Sequence, residues 1–475
     1  MKIALIYPPY CHKKFAENLR VVDEQFGLLP PINLAYAAAI MEGAGHKVIL
    51  IDANALRLSK EEAFDIVEEF NPDLMGYNLC TYTFFHTLDW IRYFKKRNSL
   101  PVVVGGINLL YYPEETMIYQ EIDYAILGEA IYSLPNLLSA LEKRGDISGI
   151  EGIAFKKDGK VIMNPPSSKM KIDLDLLPHP ARHLLPNDRY YSFVSQRKNF
   201  TVMLSSFGCP FSCTYCAIPK FKPFTMRPAK MVVDEMEECY QKYGVREIDF
   251  FDGVMLLDKK RAMEISKEIK KRGMDLYWSC RSRIDLVDEE LLEEIASSGC
   301  KRIFYGIESA NPKILKAMNK YIPTEKIKEV IRLTKKYGIR PLGFFMVGCP
   351  GETRQTVKET VRFAKELKLD YSQYSRTIAK PKTDLDRMVI EKTGRDYWRD
   401  FILSKIGEER ISTPWTDLTQ KEIEKLTKWA YFSFYCRPLY ILRTILKTKS
   451  FSELLRYIKV GVMMLFSFRR IEDAQ

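Results

Sequence analysis

The sequence predicts an α/β protein with two successive parallel-sheet domains and a small helical carboxyl-terminal domain. Short apolar runs alternate with amphipathic stretches through most of the chain, which is the pattern of parallel strands joined by helices. A proline-rich stretch interrupts this alternation after residue 164, and the strand signals stop near residue 390. At 475 residues the chain exceeds what one hydrophobic core normally serves, so more than one domain is expected.

Residues 1–165 predict a doubly wound, Rossmann-like parallel sheet, with strands at 2–7, 47–52, 74–78, 101–105 and 124–127. Asp158-Gly159, between two short alternating runs, is a hairpin turn signal. Ligands of such sheets bind beyond the carboxyl ends of the strands. The loops expected there are 8–10, 80–82, 105–106 and 128–129. The motif G-x-G-x-x-G is absent after the first strand, which disfavours a nicotinamide or flavin dinucleotide.

Residues 166–194 contain too many prolines for a regular element and predict a linker. The alternation then resumes over 195–390, with strands at 201–204, 247–251, 276–279, 302–307, 340–347 and 369–374. Six strand-helix units are too few for the closed eight-stranded barrel, so we expect a partial TIM-type barrel. Residues at the carboxyl ends of its strands are the candidates for chemistry.

One loop of this second domain holds three cysteines in eight residues, Cys209-Pro-Phe-Ser-Cys213-Thr-Tyr-Cys216. A closed zinc site needs four ligands, usually two C-x2-C pairs, and the sequence has no second pair. An iron-sulfur cluster held by three cysteines leaves one iron free to bind an external ligand. The spacing therefore indicates a catalytic cluster. The alternative, that these cysteines are small buried hydrophobes, fits any one of them better than all three.

The loop, with Tyr215 just before its last cysteine, resembles the signature of the radical S-adenosylmethionine (SAM) enzymes. The resemblance implies that Cys209, Cys213 and Cys216 ligate a 4Fe-4S cluster. In that family SAM binds the fourth iron and is cleaved reductively to a 5′-deoxyadenosyl radical, while the protein orients the reactants and excludes water. A non-catalytic iron-sulfur redox or scaffold protein is the alternative from another functional class.

The same resemblance implies further SAM-binding residues at the strand ends. Glu308 and Ser309, in the segment Gly-Ile-Glu-Ser, are expected near the amino acid end of SAM, with the Glu308 carboxylate on its ammonium group. Arg283 is expected to pair with the methionyl carboxylate or the ribose, Gly348 to pass close to the adenosine, and Tyr215 to place neighbouring backbone against the adenine. Two structural alternatives stay open: Glu308 as a cap of the following helix, and Arg283 as an exposed salt bridge.

The first domain, taken together with the cysteine loop, resembles the amino-terminal domain of cobalamin-binding radical SAM enzymes. The matching features are residues 30–35, 43–48, Asp52, Gly105-Gly106 and Gly128-Glu129. The resemblance implies cobalamin contacts from Thr81, Gly105, Gly106, Gly128 and Glu129. The motif D-x-H-x-x-G is absent and His12 lacks its aspartate and glycine, so the lower face of the cobalt has no predicted histidine. A domain that has lost its ligand is the alternative.

Charge and cysteine usage bear on location. The amino terminus reads directly into a strand, without a secretory leader, so the ten cysteines are expected in a reducing cytoplasm. Residues 391–475 predict a helical domain, with a helix at 417–430 that begins at a Thr416-Asp417 cap. Between residues 437 and 470 lie eight basic residues and one acidic residue among bulky apolar ones, although the net charge of the whole chain is only +12. This pattern fits a helix on an anionic membrane surface or one packed on the barrel.

The sequence thus predicts a cytoplasmic radical SAM enzyme with 4Fe-4S, SAM and cobalamin as cofactors. Methylation of an unactivated carbon in a small-molecule or lipid-like substrate is the favoured reaction, and cobalamin-dependent cyclisation or rearrangement is the alternative. The expected partners are the substrate, an electron donor such as flavodoxin or ferredoxin, and the inner face of a membrane, peripherally through 437–470. No nucleic acid is expected.

Overall fold

The computed structural model describes residues 1–9, 27–164, 172–218, 224–407 and 411–447, together with the single positions 455 and 458. The chain forms two compact units. The first comprises Met1–Phe15, Leu28–Tyr190 and Arg395–Glu409, and the second comprises Ala16–Gly27, Tyr191–Gly394 and Arg410–Gln475. The predicted boundaries at 165, 194 and 390 stay predictions.

The first unit is organised around a seven-stranded sheet, which contains the five predicted parallel strands and both strands of the predicted hairpin. Its strands are β1 (Lys2–Tyr7), β2 (Lys47–Asp52), β3 (Leu74–Asn78), β4 (Val102–Gly105), β5 (Tyr124–Ile126), β6 (Ile153–Lys157) and β7 (Lys160–Met163). They lie in the order β2-β1-β3-β4-β5-β6-β7. The first five are mutually parallel, whereas β6 and β7 extend the sheet antiparallel. Both residues of the predicted turn, Asp158 and Gly159, have positive φ, as a tight hairpin requires.

Helices cover this sheet and bury its apolar strands. The longer ones are α1 (Ile32–Gly43), α2 (Lys60–Phe70), α3 (Phe84–Lys95) and α4 (Ala130–Glu142). Helix α2 begins at a capping box in which the Ser59 side chain and the Glu62 side chain each bond the other residue's backbone N–H. A later segment also belongs to this unit: in the short helix Tyr397–Ile402, Arg399 pairs with Glu115 at 2.6 Å.

The second unit contains a six-stranded sheet whose strands follow one another in chain order and are all parallel. They are β8 (Phe200–Met203), β9 (Glu247–Phe250), β10 (Tyr277–Arg283), β11 (Cys300–Glu308), β12 (Arg340–Val347) and β13 (Tyr371–Arg376). This is the predicted six-unit partial barrel. Strand β10 extends four residues beyond its predicted end at Ser279, so Arg281 and Arg283 lie within the strand.

The connecting helices pack on the outside of the barrel sheet through their apolar faces, in one continuous core. They are α5 (Ala229–Lys242), α6 (Lys259–Lys271), α7 (Glu289–Ser297), α8 (Thr324–Lys336) and α9 (Arg354–Glu366). Helix α10 (Asp384–Thr393) follows the last strand. A short helix, Pro312–Ala317, follows β11. Parallel strands bring their carboxyl ends to one edge, so the loops after β8 to β12 share it.

The carboxyl-terminal region is helical, as predicted, with α11 (Gln420–Tyr435) and α12 (Pro438–Lys447). The predicted cap at Thr416-Asp417 is wrong. Helix α11 begins at Thr419, whose side chain forms a capping box with Glu422, and Thr416 instead donates its hydroxyl to the Glu352 carbonyl at 2.8 Å. Within the described residues, no helix is long and apolar enough to cross a membrane.

Candidate functional site

The three cysteines lie in the loop that follows β8, at the carboxyl edge of the barrel sheet. A two-residue antiparallel pairing of Ser206–Phe207 with Thr225–Met226 closes the base of this loop. Gly208 enters the loop with φ of 78°, a conformation that favours glycine. The Cys216 N–H donates to the Cys213 carbonyl at 3.1 Å, which turns the last two cysteines back toward each other.

The strand next to β8 supports the start of this loop. Asp252, directly beyond β9, is buried and accepts hydrogen bonds from the Ser205 N–H at 2.7 Å and the Ser206 hydroxyl at 2.7 Å. A side chain at Gly253 would come within 3.2 Å of the Gly208 carbonyl oxygen and closer still to a side chain of the loop. The loop therefore rests on the end of β9, and Asp252 and Gly253 position it in this structure.

The chemistry of the three thiols fits a multi-iron cluster. Burial raises the pKa of Cys209 and of Cys213, and the other two cysteines add to the rise at Cys209, so the three groups lie within electrostatic range of one another. No group of three or more His, Cys, Asp or Glu side chains in the described part of the chain is arranged to hold a single metal ion. In a 4Fe-4S cluster each cysteine binds a different iron, so the thiols need not converge on one point.

A buried polar group lies beside the loop and includes the predicted residue Glu308. Tyr215 donates its hydroxyl to Glu308 Oε1 at 3.0 Å, and the ammonium group of Lys320 donates to the same oxygen at 2.7 Å. Burial and the Glu308 carboxylate raise the pKa of Tyr215. The alternative role for Glu308, as a helix cap, does not apply here, because Asn311 caps the following helix through its own side chain.

Arg283 lies next to the cysteine loop. Its guanidinium stacks over the Phe211 ring at 4.1 Å and forms a bidentate pair with Asp285 at 3.0 and 2.8 Å. Arg283 thus forms the salt bridge that the sequence left open as its alternative role. Its positive charge also affects the cysteine loop: together with the charge of Lys320, it opposes the rise that burial causes in the pKa of Cys213.

Ser309 and Gly348 take part in internal contacts. The Ser309 hydroxyl lies 3.1 Å from the Thr360 hydroxyl. Gly348 has φ of 84°, and a side chain there would come within 2.7 Å of Ile423, so this turn requires glycine. The Gly348 N–H donates to the buried carboxylate of Glu352, whose pKa burial raises to about 7.

The predicted cobalamin residues lie in the first unit, at the carboxyl edge of its sheet. Thr81 is buried and donates its hydroxyl to Asn108 Oδ1 at 2.9 Å, while Asn108 Nδ2 donates to Thr116 at 2.7 Å. Gly106 has φ of 116°, and a side chain there would come within 2.5 Å of a backbone carbonyl. At Gly105 a Cβ would meet nothing within 4 Å. This open backbone fits the close approach of a ligand.

Two other predicted positions lie at this edge. Gly128 follows β5, and Glu129 is the amino-terminal cap position of α4. The predicted loop residue Tyr10 and His12 lie outside the described residues.

Sequence reasoning did not identify Lys320, Asn108 or Tyr190. Tyr190 donates its hydroxyl at 2.8 Å to Asp52, whose pKa is raised by burial. The only local signal for Asn108 is a polar residue in the otherwise apolar run Ile-Asn-Leu-Leu. Lys320, in a lysine-rich stretch, carries no local signal.

Comparison with known proteins agrees with this geometry. Residues 203–364 match the model of the radical SAM superfamily, and residues 20–138 match that of the B12 binding domain. An uncharacterized methyltransferase of Pyrococcus horikoshii is 32% identical over 463 residues, covering 95% of this chain and 96% of the relative. The anaerobic magnesium-protoporphyrin IX monomethyl ester cyclase of Rubrivivax gelatinosus is 28% identical, covering 82% of this chain and 70% of the relative.

Among solved structures, the radical SAM methyltransferase TsrM of Kitasatospora setae superposes with a TM-score of 0.66 at 20% identity, over 82% of this chain and 76% of TsrM. At this identity the likeness shows the fold. Fold and matches together define an enzyme that joins a radical SAM barrel to a B12-binding domain. The chain belongs to the family of cobalamin-binding radical SAM enzymes, and its cofactors are a 4Fe-4S cluster, SAM and cobalamin.

Proposed function

We propose that the enzyme methylates an unactivated carbon of a small or lipid-like molecule. The observation that carries this proposal is the match to a methyltransferase over nearly the full length of both chains, together with the B12-binding domain. Cyclisation is the second candidate, because a ring-closing relative matches over 82% of the chain.

The residues have separate tasks in this proposal. Cys209, Cys213 and Cys216 hold the cluster, which supplies the electron that cleaves SAM when bound. Glu308 accepts a hydrogen bond from the charged ammonium group of SAM. Arg283 balances the negative charge of the cysteine thiolates in the loop. The other parts of SAM are contacted by Ser309 at the amino acid end, by Gly348 near the adenosine, and by backbone next to Tyr215 at the adenine.

In the first unit, Thr81, Gly105, Gly106, Gly128 and Glu129 contact cobalamin, with the open backbone at Gly105 supporting a close approach. The reaction consumes two molecules of SAM: one gives up its methyl group, and the other is cleaved to methionine and 5′-deoxyadenosine, which carries away the substrate hydrogen. A small reduced carrier such as flavodoxin or ferredoxin supplies the electrons.

Isotope transfer tests the reaction. We expect the reduced, reconstituted enzyme, supplied with SAM labelled in its methyl group with deuterium and with a metabolite extract, to yield 5′-deoxyadenosine and a product carrying an intact trideuteromethyl group. Mass spectrometry of the mixture, with a Cys213→Ala protein as the blank, checks it. Formation of 5′-deoxyadenosine with an unlabelled, hydrogen-depleted product would contradict methylation and favour cyclisation.

We further propose that α12 and the basic segment around it bind an anionic membrane surface. The polar side of α12 faces the barrel unit: Tyr440 donates its hydroxyl to the Asp370 carbonyl at 2.7 Å, and Arg443 donates to the Lys368 carbonyl at 3.2 Å. Much of the remaining helix surface is apolar and exposed, including Ile441, Leu442 and Ile445 and, to the largest extent, Leu439 at 82% and Leu446 at 78%. A helix with this orientation needs an apolar partner on its outer face, and the excess of basic residues over 437–470 favours anionic lipid.

We expect the full chain to sediment with liposomes that contain phosphatidylglycerol, less so at high salt, and weakly with neutral liposomes. Each basic residue near the headgroups contributes about 1 kcal/mol. A Leu439→Ser/Leu446→Ser variant keeps the charge and removes apolar area, so its binding should fall, as should that of a chain truncated after Tyr435. Unchanged recovery of both proteins would contradict membrane binding. Conversion of a dimer to a monomer by the serine variant, without lipid binding, would assign the face to a second copy.

A further inference from the structure

Lys320 is a buried cation at the edge of the cluster loop. Only 6% of the residue is exposed, and lysine is rarely buried to this extent unless it is paired. Its ammonium group lies 2.7 Å from Glu308 Oε1 and 3.3 Å from the Tyr215 hydroxyl. The three side chains therefore form one polar cluster, in which Glu308 and Lys320 are buried and Tyr215 is half-buried.

The turn that carries Lys320 is fastened to the cysteine loop. The Asn319 side-chain amide donates to the Ser212 carbonyl at 2.9 Å and to the Ser212 hydroxyl at 2.8 Å. The Thr214 N–H donates to the Met318 carbonyl at 3.2 Å. These bonds tie the backbone on both sides of Cys213 to the residues just before Lys320, so the lysine has a fixed place relative to the loop.

The two donors on Glu308 leave its carboxylate asymmetric. Tyr215 and Lys320 both bind Oε1, whereas no donor from the described residues binds Oε2. Gly306 makes room for this arrangement, because a Cβ there would lie 2.4 Å from the Lys320 nitrogen and 2.6 Å from Oε1. One oxygen is thus held by the protein and the other is left to accept a further donor.

We propose that Lys320 is a positioning residue for SAM: it holds Oε1 of Glu308 and thereby presents Oε2 to the ammonium group of the cofactor. The proposal rests on the proposed role of Glu308 and is independent of the substrate and of methyl transfer. The opposite reading is that Lys320 occupies the ammonium position and must leave when SAM binds. The two readings predict opposite changes in affinity when the lysine is removed.

Two non-reacting ligands of the reconstituted enzyme separate these readings. S-adenosylhomocysteine carries the amino acid group, and 5′-methylthioadenosine lacks it. We expect Lys320→Met to weaken the binding of S-adenosylhomocysteine about tenfold or more, since a hydrogen bond involving a charged group contributes about 1.5–3 kcal/mol. The affinity for 5′-methylthioadenosine should change by less than about twofold. Anaerobic equilibrium dialysis measures both. Lys316→Met, at an exposed position of the preceding helix, is the matched control and should change neither.

Two further variants guard against a merely structural effect. Gly306→Ala keeps the lysine but displaces its ammonium group, and should reproduce the selective loss. In a Glu308→Gln background, Lys320→Met should add little, because residues that act through one contact are not additive. Equal weakening of both ligands, or tighter binding of S-adenosylhomocysteine by Lys320→Met, would overturn the proposal. A wild-type enzyme that binds neither ligand would instead refute the SAM assignment of Glu308 itself.

Discussion

Replacing Cys213 with alanine is expected to abolish formation of 5′-deoxyadenosine. The loop holds three thiols, and each is expected to bind a different iron, so alanine at position 213 leaves one iron without its protein ligand. Without a full set of ligands the cluster cannot bind and reduce SAM. The same result is expected for Cys209→Ala and Cys216→Ala.

Cys239→Ala is the matched control for this prediction. Cys239 is buried in the barrel core and packs as a small hydrophobic side chain, and the same holds for Cys280 and Cys300. These variants should keep their iron and should cleave SAM. Iron and sulfide analysis after anaerobic reconstitution, with chromatography of 5′-deoxyadenosine, measures both properties. A Cys213→Ala protein that still cleaves SAM would show that the loop does not carry the catalytic cluster.

Most of the fold was predictable from local patterns, because parallel strands buried on both faces leave short apolar runs in the sequence. Strand β12 has the predicted bounds, and β5 is shorter by one residue. The errors lie where tertiary contacts decide the outcome. Strand β10 continues through Arg281 and Arg283 because the barrel sheet pairs their backbone, although charged residues end the apolar run.

The cap of α11 shows the same limit in another form. Thr416-Asp417 and Thr419 are all good capping residues, and the sequence alone does not choose between them. In the structure Thr416 donates its hydroxyl to the Glu352 carbonyl, which leaves the cap position to Thr419. A hydrogen bond from Thr416 to a carbonyl group 64 residues away in the sequence thus helps to decide which residue caps the helix.

The candidate site was predictable where residues close in sequence act together. The cysteines stand within one loop, so their spacing was sufficient to select them. Glu308, the last residue of β11, was selected through the family resemblance of its segment Gly-Ile-Glu-Ser. Lys320 was not selected, because its two contacts depend on the folded chain. It contacts Glu308 from the turn that follows the helix Pro312–Ala317, and it contacts Tyr215, which lies 105 residues away in the sequence. Such contacts arise only when the loop and the turn are folded against each other.

A large loss of stability is expected from Arg302→Met. Arg302 pairs with Glu247, and both side chains are almost fully buried near the amino ends of β11 and β9. Glu247 Oε2 also accepts the N–H groups of Gln196 at 2.7 Å and Arg197 at 2.8 Å. Removing the guanidinium leaves a buried carboxylate without its counter-charge, which costs about 3–5 kcal/mol. Against a typical total of about 5–15 kcal/mol, this is a large fraction.

A second substitution separates the charge from the packing in this prediction. Glu247→Gln/Arg302→Met removes the orphaned charge but keeps an oxygen for the two N–H groups, so it should recover more than half of the stability lost by Arg302→Met alone. Denaturant unfolding of both proteins, followed by far-UV circular dichroism, gives the free energies of unfolding. The pair lies at the opposite end of the strands from the cysteine loop, so the double variant should still bind S-adenosylhomocysteine. A double variant as unstable as the single one would assign the loss to the cavity left by arginine, because the uncompensated charge is then absent.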